Sequence, residues 1–189
     1  MSRRFCLIAA AASACAVVAA AAYAIGFGSS SEQAQAQDSV DVVVEAKDGA
    51  AVSTSHFTSA KAAAADASQK AGFTIVVPSG LPAGYQLGLI GISPPVANGL
   101  RRARLRFAST GQPTLTLLQV NTPFRFDGDD PDHAIATPGK GATIYRVSSA
   151  VGTEYTLLTP SHGYTLTVLA PEKVDQGQAV KILSALPLD

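Results

Sequence analysis

Residues 5–28 constrain this chain more than any other stretch. Phe5 to Gly28 is a run of 24 residues without a charge, and Arg3 and Arg4 stand just before it. As a helix rising about 1.5 Å per residue it would span roughly 36 Å, enough to cross a hydrocarbon core of about 30 Å with some tilt. A segment that is apolar all round has no polar stripe to turn toward water, so residues 1–28 read as a signal anchor or signal peptide rather than a core helix. The two arginines stay on the cytoplasmic side, and everything after the run lies outside. The expected location is the cell envelope, with the chain held in the inner membrane through residues 5–28. Two alternatives remain in the residues. Small-x-small sites at Ala22-Tyr23-Ala24 and Ala34-Gln35-Ala36 allow cleavage and a secreted or periplasmic product, and Cys15 behind Ala12-Ser13-Ala14 allows lipidation.

The rest of the chain, about 150 residues, is the size of one domain whose folding hides roughly 68–70% of its surface without a metal or disulfide staple. Both cysteines, Cys6 and Cys15, fall in the apolar run, so the outer part has no thiol. Nothing in it calls for a cofactor. Without Arg3 and Arg4 the balance is 12 basic against 14 acidic residues, which lacks the excess of positive charge that drives nucleic-acid binding.

Residues 29–57 begin with a polar Ser/Gln/Glu stretch and read as a linker with a short strand at Val40–Val44. Residues 58–189 read as the extracytoplasmic α+β domain. Ser59–Ala71 is built of strong helix formers and stops at Gly72. Strand character comes next, at Phe73–Val77, Tyr85–Ile92, Arg102–Phe107, Thr114–Asn121, Thr143–Ser148, Glu154–Leu158 and Tyr164–Leu169, much of it alternating apolar with polar residues. Ser161-His162-Gly163 marks a hairpin turn, and Val174, Ala179, Val180, Leu183 and Leu186 form the stripe of a closing helix after Pro171. The expected fold is a curved, meander-like antiparallel sheet of about six strands packed with an N-terminal and a C-terminal helix.

Two charged clusters are candidate sites. In Arg101-Arg102-Ala103-Arg104-Leu105-Arg106, strand alternation puts Arg102, Arg104 and Arg106 on one face, a stripe suited to lipid headgroups or an acidic partner. The same residues would equally serve as a solvated face paired with acidic neighbours across the sheet. The loop Asp127-Gly128-Asp129-Asp130-Pro131-Asp132 gathers carboxylates, and Asp127, Asp129 and Asp132 form a candidate weak cation loop. It does not match a helix-loop-helix calcium site, which requires glycine at loop position 6 and a carboxylate at 12; here those are Asp132 and Pro138. His56, His133 and His162 have no second ligand at helical or turn spacing, so no zinc site is expected. No nucleophile elbow, cysteine nucleophile or phosphate loop is present, Gly139-Lys140-Gly141 being a turn, and the chain is not expected to be an enzyme.

In the run from Phe73 to Leu87, Phe-Thr-Ile-Val-Val-Pro-Ser-Gly-Leu-Pro-Ala-Gly-Tyr-Gln-Leu, a strand ends at one proline, a second proline sets a turn, and a glycine releases the chain into the next strand. The pattern Pro-x-x-Leu-Pro-x-Gly-Tyr resembles the opening of a bacterial domain of unknown function. That domain occurs in extracytoplasmic parts of anti-sigma-factor-like proteins and in outer-membrane lipoprotein-sorting-like proteins. The resemblance runs from about Phe73 to Leu186, through Gly163-Tyr164-Thr165-Leu166 to Ile182-Leu183-Ser184-Ala185-Leu186. It departs where the penultimate strand often carries tryptophan and this chain has Tyr155-Thr156-Leu157. It implies a fold similar to lipoprotein carriers and an envelope role without established catalysis. It carries over no functional residue; Pro78, Leu81, Pro82, Gly84 and Tyr85 are expected to be structural.

The expected function is therefore a non-enzymatic, membrane-anchored envelope domain that binds a protein or a lipid. A lipoprotein-carrier-like lipid binder would hold a continuous apolar cavity of several hundred Å³, whereas an interaction module would have a filled core and a discrete exposed patch. A regulatory sensor similar to the outer part of an anti-sigma factor is the other alternative, though Met1 to Arg4 is all that precedes the membrane run. An enzyme would instead show a carboxylate and a histidine converging in a pocket.

Overall fold

Small residues and caps set the first helix, α1 (Ala60–Ala71). Its alanines at spacing four, Ala63, Ala67 and Ala71, are buried, and their small size lets the helix lie close on the sheet beneath. Ser59 caps the N-terminus, and Gly72 ends the helix in the left-handed conformation (φ 73°) with its N–H donated to the Ser68 carbonyl. The closing helix, α2 (Gln176–Ser184), starts where the Asp175 carboxylate accepts from the Gln178 N–H at 2.8 Å, and buries Ala179, Ile182 and Leu183.

The computed structural model describes residues 39–96, 99–123, 131–150, 152–169 and 174–188, which belong to one unit, Ser31–Asp189. The expected signal or anchor segment lies outside the described residues. Among those described, no helix is long and apolar enough to cross a membrane.

Nine strands form one sheet among the described residues: β1 (Val40–Glu45), β2 (Ala51–Phe57), β3 (Gln86–Ser93), β4 (Arg102–Ser109), β5 (Gln112–Val120), β6 (Ala134–Gly139), β7 (Ala142–Ser149), β8 (Gly152–Leu158) and β9 (Gly163–Val168). Their order is β2-β1-β3-β4-β5-β9-β8-β7-β6. Neighbours run antiparallel except β1 and β3, which are parallel because the chain between them crosses over through α1. Strands β1 to β5 make one half of the sheet and β6 to β9 the other. The halves meet along β5 and β9, in register from Leu115 opposite Val168 to Val120 opposite Gly163.

This overturns the expected antiparallel sheet of about six strands. The sheet is mixed and half as wide again, because β1, β2 and β6 belong to it. Strand β2, Ala-Val-Ser-Thr-Ser-His-Phe, is exposed along most of its length, so it carries no apolar row for periodicity to detect. Strand β6 contains Pro138 and pairs irregularly with β7. The stretch Phe73–Val77, which has the composition of a strand, has no regular secondary structure and lies outside the sheet. It is held by a side chain instead: Gln119, fully buried on β5, accepts from the Val76 N–H at 3.1 Å and donates to the Val76 carbonyl.

Both helices lie on the same face. There α1 meets β1, β2 and β3, and α2 meets β8 and β9. Val42, Ile90, Leu105, Phe107, Leu117, Leu166, Leu157 and Ile144 point toward that side, all fully buried, in one cluster with Ala63, Ala67, Ile182 and Leu183. No described helix covers the opposite face of the sheet.

Candidate functional site

The face opposite the described helices takes its chemistry from the residues that alternate with the core. On β4, Ala103, Leu105 and Phe107 are buried, so Arg102, Arg104 and Arg106 project from the other side at every second position. Arg104 stands between Gly91 of β3 and Leu118 of β5, Arg102 between Ser93 and Val120, and Arg106 between Leu89 and Thr116. Thr165 and Thr167 of β9 continue the face beyond β5. Gly91 leaves room on it: a Cβ there would lie 3.1 Å from Glu45 Oε1, and the same carboxylate accepts from Ser93 Oγ at 3.1 Å. Glu45 is thus engaged with β3 and makes no ion pair with the arginines among the described residues. Neither the Arg102 nor the Arg104 guanidinium has a hydrogen bond or ion pair among those residues, whose two salt bridges are His56–Asp41 and Lys70–Asp66.

The four-arginine cluster divides. Arg101 leaves the stripe, and its Nη1 donates at 2.9 Å to the Ala71 carbonyl at the C-terminus of α1. A cation there satisfies an otherwise open carbonyl and complements the negative end of the helix dipole. The approach is so close that a Cβ on Gly72 would sit 2.9 Å from the guanidinium, which adds to the demand that the positive φ already places on glycine. No spacing rule gives this role, because it depends on where α1 ends in space.

In the acidic loop, Asp127 and Asp129 lie outside the described residues, and Asp132 sits in a short 3-10 turn, Pro131–His133. No group of three or more metal-ligating side chains is found among the described residues. The histidines stay apart. His56, 72% exposed, meets Asp41 at 2.7 Å on an open edge of the sheet, and His162 bonds Ser161 Oγ at 3.0 Å and stacks on Tyr164.

The proline-glycine motif forms a clamp. Tyr85 N–H donates to the Pro82 carbonyl at 3.2 Å, closing a turn whose third residue, Gly84, has φ 85°, the left-handed position a type II turn requires. Pro78 is buried, Leu81 packs against the core, and Tyr85 Oη donates to the Pro113 carbonyl at 2.8 Å, tying the start of β3 to the start of β5. Burial raises the pKa of Tyr85 above 10.0. The unfolded chain therefore ionises first as pH rises, and the stability this tyrosine supplies is full below about pH 10 and lost as pH climbs through its raised value. Tyr85→Phe is expected to cost about 1 kcal/mol at neutral pH and to flatten that alkaline loss, read from urea midpoints across the range.

One groove, of about 460 Å³, lies between α1 and residues 74–77, lined by these and by Lys61, Ala64, Ala65 and Ser68. It is open to solvent, and its floor includes Ile75 of the core cluster. Comparison of the chain with family models, with curated proteins and with solved structures finds no match in any of the three.

Proposed function

We propose that this is a non-enzymatic, membrane-anchored envelope domain that binds an anionic partner through the face of its sheet opposite the two described helices, with the phospholipid headgroups of its own membrane as the first ligand. The observation that carries this reading is the pair Arg102 and Arg104, two cations on one strand that make no ion pair among the described residues. A guanidinium has a donor fork that fits phosphate oxygens, and cations next to an anionic bilayer gain about 1 kcal/mol each. The expected anchor would hold this face near a bilayer. The filled inner face speaks against a carrier, since Ile90, Leu105, Leu117 and Leu166 already spend their surface on the core.

Residues 38–189 should co-sediment with vesicles of phosphatidylcholine containing phosphatidylglycerol, and not with phosphatidylcholine alone. The bound fraction should fall as salt is raised. Equal binding to both vesicles, or none to either at low ionic strength, would remove the reading.

A further inference from the structure

The two edges of the sheet are treated very differently by the sequence. At one end β6 is blunted: Pro138 has no N–H to offer, the pairing with β7 shifts register twice, and Leu188 lies over Gly139, where a Cβ would come within 2.8 Å of its Cδ1. At the other end β2 is less protected: its pairing with β1 shifts register once, at the Val44–Glu45 end, where Val52 is skipped. Its seven residues include no proline, no glycine, no lysine, no arginine and no carboxylate. It pairs with β1 without interruption from Phe57 to Ser53, and among the described residues no strand lies on its outer side. Val52 is 68% exposed on it. An uncharged edge that is regular over five residues, Ser53 to Phe57, is a template for another strand, because its outward N–H and C=O groups are ready to pair.

We propose that the strand this edge takes is β2 of a second copy of the chain, antiparallel and centred on Thr54. In that register the three central pairs fall within the regular stretch, and the outer pairs at each end include Val52 and Ala51, at the register shift. Thr54 faces Thr54 of the second copy, a favourable cross-strand pair, Ser53 faces Ser55, Val52 faces His56 and Ala51 faces Phe57. Each large side chain thus meets a smaller one, and no like charges come opposite each other. His56 already has Asp41 at 2.7 Å, and Lys70, which reaches Ser55 Oγ at 2.8 Å, is neutralised by Asp66 at 2.8 Å. The two-fold axis of an antiparallel pair stands perpendicular to the sheet, so both copies turn the same face the same way, and their arginine rows lie on one side of a continuous sheet. Self-pairing uses the edge and not the face, so it stands whether or not the arginines meet lipid.

The test uses the full chain in its membrane. Thr54→Cys brings two thiols together across the axis, where directly opposed strand residues have Cα atoms about 4.5–5.5 Å apart, within disulfide range. Mild oxidation should convert Thr54→Cys to a linked dimer beyond any background from Cys6 and Cys15 in the parent chain. Thr116→Cys, in the middle of the face that bears the arginines, should not link. Ser53→Cys and Ser55→Cys should link to each other when mixed and not to themselves. Independently, native mass measurement of the unmodified chain in detergent should give twice the chain mass, and Val52→Lys should weaken that association by about tenfold or more. A monomeric mass, equal linking at Thr116→Cys, or linking of Thr54→Cys to a different protein would each overturn the proposal.

Discussion

Gln119→Leu is expected to destabilise the domain by about 3 kcal/mol, although leucine is close to glutamine in volume and the site is fully buried. The amide of Gln119 does the work of one rung of a sheet, accepting from the N–H and donating to the carbonyl of Val76. Leucine would keep the packing and abandon both groups. Each unmade bond at a sheltered group costs about 1–3 kcal/mol, and there are two. The loss should appear as a lower urea midpoint with an unchanged slope. Residues 73–77 should come loose first, because the Ser68 hydroxyl bond to Ile75 N–H, at 2.8 Å, is the other described tie. A cost below about 1 kcal/mol would mean that water takes over the role of the amide.

The double replacement Arg102→Gln with Arg104→Gln should lower binding to anionic vesicles roughly 30-fold, from about 1 kcal/mol per cation, and leave stability within about 0.5 kcal/mol per substitution. Arg101→Gln should do the reverse. It removes the cation at the end of α1 and so costs stability, while vesicle binding stays near that of the parent chain. Co-sedimentation and urea unfolding on the same three proteins separate the two roles. If Arg101→Gln weakened binding as much as the double variant, the division of the cluster into a cap and a stripe would be wrong.

The sequence yields the strands whose one side is buried and whose other side is wet. Period-two alternation exposes β4 and β9 at once, and on β4 it also gives the arginine face, because alternation fixes the side as well as the element. The same rule fails at the margins. Strand β2 lies beyond the reach of most of the core, so Ser53 and Ser55, opposite Val44 and Val42, occupy positions that would be apolar on a central strand. The parallel pairing of β1 with β3 is a property of the crossover through α1 and leaves no mark on either strand. Phe73–Val77 has the residues of a strand without a neighbouring backbone to pair with. The one hint of its true state is Gln119 itself, a glutamine standing on β5 where Leu115 and Leu117 set an apolar row.

The seam between β5 and β9 has a consequence for how the molecule comes together. Each half of the sheet is contiguous in sequence and brings its own helix, so β1–β5 with α1, and β6–β9 with α2, can take shape through contacts within the half. Joining Leu115 to Val168 and Val120 to Gly163 instead requires closing a loop of more than forty residues, the slowest kind of contact to make. The amide protons of that seam should therefore exchange with solvent only when the whole domain opens, and they mark the step at which two separate structures become one cooperative fold.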